Sequence, residues 1–148
     1  MTDSFLLNAG MQFLAAMAAT VSFGLTFRVP TRHYLACGLT GAVGWLTYVV
    51  CSTLFAMSAP VATLVAALPL TSCARRFAVR HKAPISLFLL CGIFPLVPGA
   101  GIYYTAYYFL RDDRTLFVNK GVETLKIAVA LALGITLVCS IPRRHRRS

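Results

Sequence analysis

Residues 94–104 read FPLVPGAGIYY, and the fold turns on how this stretch is read. It lies in an apolar run long enough for a membrane helix, yet Pro95, Pro98, Gly99 and Gly101 crowd its centre. An interior proline removes a backbone donor and drives its ring into the preceding turn, and glycine opens conformations that other residues avoid. The spacing PxxPGxG therefore predicts a kink or an unwound segment. From Pro84 to Leu110 there are too few residues for two full spans, so the segment is one interrupted span or two half-helices. Backbone left unpaired at membrane depth is tolerated only against protein or a water-filled cavity. A plain kink and a polar, substrate-lining break are the two readings this leaves open, the second because broken helices form such sites in transporters.

Composition puts that stretch in a bilayer. Of 148 residues, 58% are hydrophobic and 12% charged, with a mean hydropathy of +0.75. A small soluble domain has too little interior to hide so much apolar surface. The formal net charge of +10 comes from 14 basic residues against 4 acidic ones. The basic residues gather at the ends of apolar runs and form no interleaved basic and aromatic face, which argues for positive-inside topology and against nucleic acid. Cys37, Cys51, Cys73, Cys91 and Cys139 lie inside apolar runs, with no CxxC and no histidine at metal-ligand spacing. They read as packing residues that imply neither disulfides nor a metal site, and no cofactor is called for. The N-terminal apolar run contains cleavage-like small residues, but Asp3 and no basic residue precedes it and it continues to Phe27. It reads as a retained first span rather than a signal peptide.

A span needs about 20 mostly apolar residues. The pattern predicts an all-α polytopic membrane protein, a single transmembrane domain over 1–148 with spans at about 4–27, 34–56, 60–78, 84–110 and 122–141, the fourth kinked or broken at PLVPGAG. Ser58-Ala59-Pro60 supplies the start of the third span, and Arg75, Arg76, Arg80 and Lys82 close it, the first two expected to snorkel. With alternate loops cytoplasmic, Arg28 and Arg32, the 75–82 group and the tail Arg143, Arg144, Arg146 and Arg147 fall on one side. That places the N-terminus outside and the C-terminus in the cytoplasm, although Arg111, Arg114 and Lys120 run against the pattern. A terminus on each side is the form of one half of an inverted-repeat transporter, and no internal repeat is visible here.

Several residues are candidates for function or assembly. Gly38, Gly41 and Gly44 are three apart in CGLTGAVGW and predict close helix packing, within the subunit or against a partner, homo-oligomers included. Asn8 and Gln12 share one face of the first span and suit interhelical hydrogen bonds or, less simply, a substrate path. Tyr107 and Tyr108 fit an interfacial belt, whereas Tyr103 and Tyr104 stand nearer the break, where a hydroxyl can face a polar cavity. Glu123 and Lys126 share a helical face at the edge of an apolar run. They read as an interfacial pair or as ionisable residues with a role in transport, Lys126 attracting a carboxylate and Glu123 meeting an ammonium or a proton. The substrate-path candidates are thus Pro95, Pro98, Gly99, Gly101, Tyr103, Tyr104, Glu123 and Lys126. Motifs of hydrolases, zinc proteases and phosphate-binding loops are missing, which argues against an enzyme.

Three blocks, FRVPTRHYLACGLTGAVGW, PLVPGAGIYYTAYYFL and ETLKIAVALALGI, together resemble the C-terminal half of the threonine/serine exporter family, from about Phe27 to Ile141. In particular they resemble its split form, in which this half is a separate small membrane protein. The resemblance implies an inner-membrane exporter subunit that works with a larger membrane subunit supplying the other half. It further implies export of threonine and serine, or of a dicarboxylate such as succinate, driven by the proton gradient. A scaffold that packs against a transporting partner without carrying substrate is the alternative.

Overall fold

The computed structural model describes residues 2–142, with side chains from Asn8 onward, and every regular element among them is helical. The expected basic tail from Arg143 lies outside the described residues. The chain runs through α1 (Thr2–Thr26), a 3-10 turn (Thr31–His33), α2 (Tyr34–Thr53), α3 (Ala59–Arg80), α4 (Ile85–Ile93), a second 3-10 turn (Phe94–Leu96), α5 (Gly99–Leu110) and α6 (Arg114–Ser140). Ser58 is the N-cap of α3 and Pro60 sits in its first turn, where a missing amide hydrogen costs nothing. The last helix begins at Arg114, earlier than the span expected from 122. Asp113 Oδ1 accepts a hydrogen bond from the Leu116 amide at 3.1 Å and so caps it, and the polar residues 114–121 lengthen the helix without being apolar enough to suggest a span.

Among the described residues, three helical segments, Asn8–Thr26, Thr31–Thr53 and Arg114–Ser140, are long and apolar enough to cross a membrane. The pair Ile85–Leu96 and Gly99–Leu110 makes a fourth if it is one span bent by 55°. At 22 residues, α3 is long enough, about 33 Å at the helical rise, but its last turns carry Arg75, Arg76 and Arg80. Its composition also reflects its place. It packs against α2, α4 and α6, and its buried face is mostly Ala62, Ala66, Ala67, Ala74 and Ala78 with Thr63 and Thr71.

Small residues set the helix spacings. A Cβ on Gly41 would lie 2.0 Å from Thr20 Oγ1 of α1, one on Gly38 would lie 2.8 Å from Met17, and one on Gly44 would lie 2.5 Å from Leu70 of α3. Because residues three apart drift around the helix, the glycine row serves both neighbours of α2. The device recurs where Gly92 of α4 meets Thr40, and where Gly134 of α6 meets Ala67 and the Leu64 carbonyl. Thr20 and Thr40 are fully buried, and each donates its hydroxyl to the carbonyl four residues back, Ala16 and Ala36, at 2.8 Å. This back-bonding lets a polar side chain fill a notch without an unmet donor.

Arg75, expected to snorkel from the last turns of α3, has a specific partner at the end of α6. Its guanidinium donates to the carbonyls of Val138 and Ile141, the latter at 2.7 Å. Those carbonyls belong to the C-terminal end of α6, where helix geometry leaves acceptors open and the dipole favours a cation.

Candidate functional site

The break in the fourth span follows from its two prolines. Val97, which precedes Pro98, is extended (φ −65°, ψ 129°), the conformation that a following proline ring enforces, and the helix cannot continue through it. Pro98 (φ −76°, ψ 59°) forms an inverse γ-turn in which the Gly99 amide donates to the Val97 carbonyl at 2.7 Å. The first intrahelical bond of α5 runs from the Ile102 amide to the Pro98 carbonyl at 3.0 Å. The Ala100 and Gly101 amides precede that bond and have no helical acceptor, and among the described residues no side chain caps the turn.

Side chains around the break hold it in place. Phe94 stacks on Phe23 of α1 with ring centroids 3.9 Å apart, and Leu96 is buried with Ala66, Leu70 and Leu131 in the core. Pro95 faces a small cavity between α1 and α2 lined by Gln12, Ala15, Ala16, Ala19 and Trp45. There Trp45 Nε1 donates to Gln12 Oε1 at 2.7 Å, so the first-span amide serves an interhelical hydrogen bond.

Beyond the break α5 leaves the core, takes α6 as its main neighbour and has no buried residue. The helices meet where a Cβ on Gly101 would come 2.4 Å from Thr124 Oγ1. Beside that contact runs an open groove of about 870 Å³, lined by Val97, Pro98, Ile102, Thr105, Thr124 and further apolar residues of α5 and α6. Thr105 donates to the Gly101 carbonyl and Thr124 to the Lys120 carbonyl, each at 2.7 Å. Their hydroxyl lone pairs remain available as acceptors. Gly99 is exposed and has nothing within 4 Å of the position its Cβ would take.

The expected site residues do not all converge. Pro98 and Gly101 flank the groove, while Pro95 belongs to the α1–α2 cavity. Tyr103 and Tyr104 are 64% and 48% exposed and form aromatic columns along α5, Tyr103 on Tyr107 and Tyr104 on Tyr108. Glu123 pairs with Lys120 at 2.9 Å rather than with Lys126, and that pair is about half exposed. Lys126 instead lines a separate apolar groove with Pro60, Val61 and Leu64 of α3. Glu123 has a lysine three residues away on either side; the one toward α5 forms the pair, and the one toward α3 does not. Sequence reasoning missed Thr105 and Thr124, although Thr105 lies one turn beyond Gly101 and so on its face. Among the described residues, no three His, Cys, Asp or Glu side chains gather as metal ligands.

The sequence model of the family described as Threonine/Serine exporter, ThrE, matches residues 12–141. No curated protein and no solved structure matches the chain.

Proposed function

The chain belongs to the threonine/serine exporter family, and from that premise we propose that it is the small subunit of an inner-membrane exporter whose substrate path passes the break between α4 and α5. The carrying observation is the break itself. Two amides at the start of a half-helix, Ala100 and Gly101, lie in an apolar span without backbone acceptors. Lipid tails cannot satisfy them, whereas water or the carboxylate of threonine, serine or succinate can. The partial positive charge at the α5 N-terminus favours the anionic group. Thr105 and Thr124 offer acceptors to an ammonium or hydroxyl on the same substrate.

In this reading α3 is also a span, the third of five, the N-terminus is outside and the C-terminus cytoplasmic. The groove is apolar on nearly every side, so one subunit does not enclose a polar solute. A larger partner subunit closes it and carries the acidic residue needed for proton coupling, because this chain has no carboxylate deep in a span. Tyr104 and the Lys120–Glu123 pair stand toward the outer mouth, and Lys126 joins the path only through the partner. The same apolar lining favours a second reading, in which the chain is a scaffold and the partner alone carries substrate.

Cysteine accessibility separates the two. In a background lacking the native cysteines, Gly99→Cys is expected to react with a membrane-impermeant thiol reagent and to be protected by threonine, serine or succinate. A cysteine that reacts at the same rate with and without all three solutes supports the scaffold.

A further inference from the structure

We propose that the cleft between the end of α1 and the start of α4 is a binding site for an anionic phospholipid, with the phosphate at Arg28 and Ser86 and an acyl chain along Phe27 and Leu90. The cleft measures about 250 Å³ and has a polar end formed by Arg28 and Ser86. Phe27, Leu87, Leu90 and Cys91 make its apolar floor. Phe27 is 43% and Leu90 44% exposed, so the floor opens outward, where a bilayer would lie. A cationic and hydroxyl-bearing rim above an apolar channel has the polarity of a phospholipid, headgroup first.

Charge complementarity identifies the occupant as anionic. The α1–α2 turn and the α3–α4 turn lie at one end of the bundle, as the His33 and His81 rings 5.1 Å apart demonstrate. Residues 28–33 and 75–84 together contain Arg28, Arg32, Arg75, Arg76, Arg80 and Lys82 and no acidic residue. Arg75 is engaged with the end of α6, whereas Arg28 makes no ion pair among the described residues. The backbone at Arg28 closes the end of α1 in the left-handed conformation (φ 54°), with the Val29 amide bonded to the Gly24 carbonyl at 2.9 Å. Arg28 lines the cleft together with Ser86 of the first turn of α4, which has no side-chain cap of its own.

The test is lipid binding to the full-length protein by native mass spectrometry and by thermal shift. The probes are phosphatidylglycerol, phosphatidylcholine and glycerol phosphate. Phosphatidylglycerol should be retained and raise the unfolding temperature, phosphatidylcholine should do so much less, and glycerol phosphate should not. Arg28→Gln should weaken phosphatidylglycerol binding about fivefold, with Ser86→Ala adding to the loss, while Arg114→Gln, at the start of α6 and outside both the cleft and its basic cluster, should leave it nearly unchanged. Equal retention of the two lipids, an equal shift with glycerol phosphate, or an equal loss in Arg114→Gln would overturn the proposal. No outcome depends on transport, so the site stands or falls separately from the exporter reading.

Discussion

At the scale of single residues, the glycines divide into two kinds that the sequence does not distinguish. Gly134 is pressed against another helix, where an added Cβ would meet Ala67 at 2.5 Å and the Leu64 carbonyl oxygen at 2.9 Å. A backbone oxygen cannot rotate aside, so Gly134→Ala should destabilise the protein by about 2 kcal/mol, read as a lower unfolding temperature in detergent. Gly99 faces open space, and Gly99→Ala should leave that temperature within a degree or so of wild type. If both substitutions behave alike, the helix spacing described above is wrong. The row Gly38, Gly41, Gly44 was legible as a packing face because small residues repeat along it. Gly92 and Gly134 were not, since each is a solitary glycine whose role depends on a distant threonine or alanine. Arg75 escaped for the same reason, as the α6 carbonyls it reaches lie more than sixty residues away in the chain.

At the scale of elements, three helices end in the same way. Arg28, Lys82 and Asp112 each adopt φ near 50° (54°, 49° and 55°), and the next amide reaches back to the fifth carbonyl before it. The pairs are Val29 to Gly24, Ala83 to Ala78 and Asp113 to Tyr108, at 2.9, 3.0 and 3.1 Å. This is the Schellman arrangement, which ordinarily takes glycine because a Cβ is strained there. Pro30 and Pro84 follow two residues later and stop any continuation. Lys82→Gly should relieve the strain and stabilise the protein by about 1 kcal/mol, seen as a higher unfolding temperature. A lower temperature would mean that the lysine side chain holds the turn. These stops were hard to read because the glycine that usually marks them is absent. The break before α5 was easy to read because proline acts through its own geometry, with Val97 extended ahead of Pro98 and no tertiary contact required. What the prolines could not disclose was direction. The 55° bend takes α5 out of the core and onto α6, which is decided by Phe94 and Leu96 finding partners in α1 and α3.

At the scale of the molecule, α2 and α3 form the centre, α1 and α4 pack on one side, and α5 leans on α6 at the other. The all-helical membrane architecture was legible from hydropathy alone. The convergence of a site was not, because faces of α5 and α6 that look adjacent on a helical wheel open onto different grooves. In the proposed five-span arrangement α6 crosses the membrane, which puts the α5–α6 turn and the C-terminus on opposite sides. Reporter fusions at Asp112 and at the C-terminus should therefore give opposite signals, and matching signals would remove the five-span arrangement. The central claim, that substrate passes the open amides beside Gly99, is tested most directly by efflux of threonine, serine and succinate from vesicles holding the protein with the proposed partner subunit. The comparison is wild type against Gly99→Leu, whose side chain has room to fold but would occupy the path. Efflux should fall at least about tenfold, a barrier increase of about 1.4 kcal/mol, while the unfolding temperature and co-purification of the partner stay unchanged. Wild-type efflux of all three solutes from a folded, partner-bound Gly99→Leu protein would contradict the account.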